Sequence, residues 1–131
     1  MEAAMADHGT FYWNELSTTD IEGAKAFYGS LGGWSFSEMP MANGETYHVG
    51  MVGESPAGGI MGMPEGAPAG TPPYWRAYVA VDDVDAAVAA ATANGAAVLM
   101  APFDVPGVGR ICTLRDPQGA EISIMTPAAK E

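Results

Sequence analysis

Two stretches of the chain share one pattern of apolar and polar positions. Between Phe11 and Gly33 (FYWNELSTTDIEGAKAFYGSLGG) a β-favouring run gives way to a polar break, then to apolar residues at helical spacing. Alternation puts Phe11, Trp13, Glu15 and Ser17 on one face of a predicted strand, and Tyr12, Asn14, Leu16 and Thr18 on the other. Asp20 can accept from the free N–H groups of the helix that follows. Ile21, Ala24, Tyr28 and Leu31, with Phe27 beside them, form a stripe expected to pack on a sheet. Gly32 and Gly33 end the helix, because glycine tolerates the left-handed C-terminal position. The pattern predicts a helix over 20–32.

An echo follows 63 residues later, from Trp75 to Gly95 (WRAYVAVDDVDAAVAAATANG). Leu16 corresponds to Val79, Asp20 to Asp83, Ile21 to Val84, Ala24 to Ala87 and Gly32 to Gly95. Two copies of so long a period indicate a duplicated supersecondary unit, not a solenoid. A second helix is predicted over 83–94.

The remaining segments read as strands. Trp34–Glu38 and Glu45–Val52 are joined at Asn43-Gly44, a strong turn dipeptide, and Gly58–Met63 forms a short, flat strand. Pro64–Pro73 (PEGAPAGTPP) is a linker. Ala97–Phe103, Arg110–Arg115 and Ala120–Thr126 are strands, the last two joined by the turn Asp116-Pro117-Gln118-Gly119. The order is β-α-β-β-β, twice. It predicts an α+β fold in one domain over 1–131, with modules at about 9–63 and 74–127 on either side of the linker 64–73.

Charge narrows the partners. Sixteen acidic residues against five basic ones give a formal net charge of −11. That excludes nucleic acid and anionic membrane surfaces as expected partners. No window approaches the ~20 apolar residues of a membrane span, and the opening MEAAMADHGT lacks the apolar core of a secretory signal. With a single cysteine, Cys112, no intrachain disulfide forms, and a cytoplasmic location is the default. Cys112 reads as a small core residue and His8 as part of a frayed N-terminal tail over residues 1–8.

The start FYWNELSTTD…AKAFY and the finish GRICTLRDPQGAEISI resemble the vicinal oxygen chelate superfamily over about residues 9–127. That superfamily includes glyoxalase I, bleomycin- and fosfomycin-resistance proteins and extradiol dioxygenases; the closer likeness is to a glyoxalase-like, hydroxylase-like branch. The resemblance implies paired βαβββ modules whose sheets form a curled mixed sheet around a cleft, and a homodimer. Metal-dependent members carry ligands on the first and last strands of each module. Carried over by position, those places fall on Trp13, Arg76, Ser123 and, near the end of module one, Ile60 or Gly62. These are not metal-ligating residues, so the expectation is no metal and no other cofactor.

On this register the cleft face carries Trp13, Glu15 and Ser17 from the first strand, Arg76, Tyr78 and Ala80 from its counterpart, and Glu121, Ser123 and Met125 from the last. Trp13 is either core filling or a wall on which a planar ligand stacks. Glu15 is either a structural partner of Arg76 or a catalytic acid or base, and the two are expected within hydrogen-bond or one-water reach. Tyr78 and His48 are further catalytic candidates, each also readable as a satisfied core residue. Arg76, Ser123, Glu121 and Arg110 join Trp13 as ligand-binding candidates. The expected partner is a small organic molecule. A metal-independent enzyme and a binding protein without chemistry both fit; a metal-dependent lyase or dioxygenase fits less well.

Overall fold

A computed structural model describes residues 8–128; of the tail expected over 1–8, residues 1–7 lie outside the described residues. Among the described residues eight strands and two helices follow in the predicted order: β1 (Phe11–Thr18), α1 (Ile21–Gly32), β2 (Ser35–Pro40), β3 (Thr46–Val52), β4 (Ser55–Gly62), β5 (Tyr74–Ala80), α2 (Val84–Ala93), β6 (Ala97–Val105), β7 (Gly109–Arg115) and β8 (Glu121–Pro127). This is the α+β architecture of two βαβββ modules.

In module one the strands run β2-β3-β4-β1, antiparallel except for the parallel β4–β1 pair. In module two β5 pairs β8 in parallel, and β8, β7 and β6 follow antiparallel. Chain contacts divide the described residues into two compact units, Trp13–Arg76 and a second that joins residues 8–12 to residues 77–128. The boundary differs from the 64–73 linker for a local reason in each unit. The Trp75 indole N–H donates to the Tyr28 hydroxyl of α1 (3.1 Å), which ties the start of β5 to the first unit. In the second, Gly9 N–H donates to Ala80 O and Ala80 N–H to Thr10 O. His8 is docked as well: its Nδ1 accepts from the Asp82 N–H at 2.9 Å, so the tail expected over 1–8 does not extend to it.

Both helices start as their sequences dictate. The Asp20 carboxylate accepts from Gly23 N–H and that of Asp83 from Ala86 N–H. Gly33 closes α1 in the left-handed conformation, φ 72°, its N–H bonded to Gly29 O. The predicted stripe on α1 is only half right. Ile21, Ala24 and Tyr28 are partly covered, but Phe27 and Leu31 are 57% and 70% exposed. The helix leans instead on its glycine edge, where Gly29 lies over Phe36 and Gly32 over the Trp34 indole.

The core of module two is the α2 side of its sheet: Val84, Cys112, Leu114 and Ile124, with Val79, Val81, Ala87, Val88, Ala91 and Ile122 around them. Burial raises the Cys112 thiol above its ordinary value, in line with a packing role. In module one Ile60 is fully buried and pairs with Leu16 across β4–β1. Truncating it empties the centre of that layer. Ile60→Ala is expected to lower the stability of the fold by about 2–5 kcal/mol, measurable by urea denaturation.

Candidate functional site

The two faces of the module-one sheet are separated by strand alternation. Phe36 pairs with Gly50, Glu38 with His48, His48 with Ile60 and Ile60 with Leu16, so these positions share a face. It is the α1 face: Lys25 of α1 lies 5.5 Å above the Phe36 ring. The opposite face, turned away from α1, carries Trp13, Glu15 and Ser17 from β1, Gly59 and Met61 from β4, and Tyr47 and Val49 from β3.

On the face away from α1 three side chains are joined. The Trp13 indole N–H donates to the Tyr47 hydroxyl at 2.8 Å, and that hydroxyl donates to Glu15 Oε1 at 2.9 Å. The order of strands makes this unusual, because β4 lies between β3 and β1. Neighbouring strands are about 4.8 Å apart, so Tyr47 must span roughly 10 Å of sheet. It does so over Gly59, which is paired to Glu15 on one side and Val49 on the other. A Cβ at position 59 would overlap the Tyr47 phenol oxygen. The α1 face repeats the device: the Trp34 ring lies over Gly50 and Gly58, and a Cβ on Gly50 would collide with it. Tyr28 stacks on Trp34 at 6.0 Å between ring centroids and meets Trp75 edge-on at 5.2 Å.

Arg76 also lies away from α1. Its neighbour Trp75 reaches Tyr28 of α1, so alternation turns Arg76 to the side that Glu15 occupies. The guanidinium lies 5.2 Å from the Tyr74 ring centroid. The place implied near the end of module one needs correction. Ile60, paired with Leu16, and Gly62, two residues on and paired with Thr18, share the α1 face; Met61, paired with Ser17, is the residue on the opposite one. His48 is not brought to Trp13 and Glu15. It is buried on the α1 face with Nδ1 lacking a hydrogen-bond partner, 3.9 Å from a Glu38 carboxylate oxygen.

In module two Tyr78 and Ser123 pair across β5–β8 on the face opposite α2, both buried. The Ser123 hydroxyl is bonded to that of Thr113 at 2.8 Å. Glu121 is exposed at the strand's start, 3.7 Å from Arg115. Arg110 sits elsewhere. Its guanidinium grips the Asp85 carboxylate of α2 through Nε (2.9 Å) and a terminal nitrogen (3.1 Å), and reaches Asp104 at 3.2 Å. It therefore clamps the first turn of α2 to β6 and β7.

The donor chemistry at the positions carried over from metal-dependent proteins is plain. Trp13 and Arg76 offer N–H donors and no lone pair for an ion, and Ser123 is bonded to Thr113. Among the described residues no three His, Cys, Asp or Glu side chains converge as a metal site. Among the described residues no helix is long and apolar enough to cross a membrane.

Tyr47 was not among the residues singled out from the sequence. The available signal was the Gly58-Gly59 pair within an otherwise β-like run, a mark of close approach over a strand.

Comparison with known proteins agrees with this fold. The model of the Glyoxalase/Bleomycin resistance protein/Dioxygenase superfamily matches residues 8–124. A putative glyoxylase, CFP32, of Mycobacterium tuberculosis is 43% identical over 123 residues, covering 94% of this chain and 46% of that protein. The anthracycline biosynthesis protein DnrV of Streptomyces peucetius is 30% identical over 130 residues, covering 91% and 47%. The chain thus spans about half the length of these relatives. Among solved structures, methylmalonyl-CoA epimerase from Mycobacterium tuberculosis superposes with a TM-score of 0.69 at 18% identity, covering 98% of this chain and 94% of that one.

The Arg110 clamp yields a pH dependence. Hydrogen bonding to Arg110 is the main cause that holds the Asp85 carboxyl below its ordinary value, outweighing some desolvation. A lowered folded value contributes stability above the unfolded one and loses it as pH falls through the folded value. Arg110→Met is expected to be less stable than the parent at pH 7, with the difference closing as pH drops below about 4. Thermal melts of both proteins across that range test it.

Proposed function

The chain belongs to the glyoxalase/bleomycin resistance protein/dioxygenase superfamily, and from that premise we propose that it binds a planar small organic molecule on the face of module one turned away from α1, against Trp13. Glu15 is the acid–base group of the site. The observation that carries this reading is the Trp13–Tyr47–Glu15 chain of hydrogen bonds, which fixes an indole and a carboxylate side by side on the sheet face away from α1. A carboxylate on a sheet face is rare without a purpose or a partner. In this proposal the chemistry runs without a metal, since Trp13 and Arg76, two of the positions that the resemblance assigns to metal ligands, offer N–H donors. Arg76, on the same side of the unit, supplies the positive charge. The likeness to a protein named for anthracycline biosynthesis supports a fused-ring ligand.

A thermal-shift series with fused-ring aromatic compounds, 1,8-dihydroxyanthraquinone among them, tests the proposal. A ligand present at a hundredfold excess over its Kd stabilises by about 2.7 kcal/mol. The shift is expected in the parent and absent in Trp13→Ala. Recovery of a chemically altered compound from the parent, but not from Glu15→Gln, marks turnover; recovery of the unaltered compound from both marks a binding protein. No shift across the series removes the reading.

The protein acts as a cytoplasmic homodimer in this proposal. Exposed apolar residues on β2 and β6, Met39, Val98, Leu99, Met100 and Phe103, support an assembly that covers them. Sedimentation at micromolar concentration is expected to show a dimer, and a monomer alone would oppose it.

A further inference from the structure

We infer that Gly59 is a positioning residue of this site, and that through Tyr47 it makes the site select flat rings over puckered ones. The inference rests on the proposed binding site at Trp13 and specifies the class of ligand it takes. Tyr47 belongs to β3 and its two partners to β1, with β4 between them. Only a residue without a side chain on β4 leaves the path open, and Gly59 lies on it: a Cβ there would overlap the phenol oxygen.

The consequence for Trp13 is geometric. An indole has one hydrogen-bond donor, its N–H, and here that N–H is given to Tyr47. The ring is thereby held at one edge by a directed bond. What it offers a ligand is surface, not a donor. Tyr47 in turn gives its one O–H to Glu15, so it too offers a ligand no proton. Recognition beside these two residues therefore proceeds by contact with the indole, which is strongest for another flat ring in offset or edge-on geometry. A puckered ring of equal size touches fewer atoms of a fixed plane. Selectivity needs the plane to be fixed, and it is fixed by Tyr47 crossing Gly59.

The control is built into the same sheet. Gly50 accommodates Trp34 on the α1 face in the way Gly59 accommodates Tyr47 on the opposite face. Adding a methyl at either position disturbs packing; only the one at 59 disturbs Trp13.

The experiment compares naphthalene-2-methanol with decahydronaphthalene-2-methanol, probes of the same outline, one flat and one puckered. Binding is followed through the Trp13 indole N–H resonance, assigned by its loss in Trp13→Phe. In the parent the flat probe is expected to bind roughly three- to tenfold more tightly, the range of an aromatic pair contact. Gly59→Ala is expected to shift the indole resonance and abolish the preference, while Gly50→Ala lowers thermal stability and keeps it. Tyr47→Phe retains the ring but loses the hydroxyl; it decides the matter if Gly59→Ala fails to fold, and is expected to lose the preference as well. A folded Gly59→Ala, or Tyr47→Phe, that still prefers the flat probe overturns the positioning role and leaves the site in place. Tighter binding of the puckered probe to the parent overturns the ligand class alone. If neither probe moves the Trp13 resonance of the parent, the site and the inference fall together.

Discussion

Module one depends on large side chains lying flat across strands that present no side chain to stop them. Tyr47 crosses β4 over Gly59, and Trp34 crosses β3 and β4 over Gly50 and Gly58. A four-stranded sheet of this size has little depth from which to build a core. Laying an indole on one face and a phenol on the other gives each face an aromatic layer. Glycine inside a strand costs about 0.5–1 kcal/mol relative to alanine. The contact area of a tyrosine or tryptophan, and two hydrogen bonds each worth about 1 kcal/mol, more than offset it.

Module two is built differently. Its core is aliphatic, with Val84, Cys112, Leu114 and Ile124 closed by an alanine-rich α2. The Arg110 clamp on Asp85 and Asp104 holds the start of that helix to the strands beneath it. The two copies of one supersecondary pattern thus reach stability by separate means. The duplicated cap, Asp20 in one and Asp83 in the other, is the feature they retain in common.

Much of the fold was legible because it is local. The caps, the helix spans and the strand order follow from spacing over a few residues, and the alternation along β1 put Trp13 and Glu15 on one face correctly. What spacing does not carry is which element lies next to which. Tyr47 was missed because its importance comes from a strand it is not part of and from a side chain that Gly59 lacks. Ile60 and Gly62 were placed one position out of register, and a single-residue slip turns a strand residue to the other face. Phe27 and Leu31 were expected to be covered, but α1 packs along its glycine edge because Trp34 and Phe36 already fill the space below. Arg110 was read as a ligand group; its two carboxylate partners lie 6 and 25 residues away in sequence and came together only in the fold.

The Tyr47–Gly59 contact also constrains how this sequence can change. The two positions are 12 residues apart and neither can be altered alone without penalty. A side chain gained first at 59 strikes the phenol. Loss of the tyrosine first strips Glu15 of a donor and bares the backbone of β4. Either route passes through a less stable protein, so drift between the present pair and any other must cross a valley. Descendants of this chain should therefore keep both residues or exchange both, and divergence on this face should come in jumps.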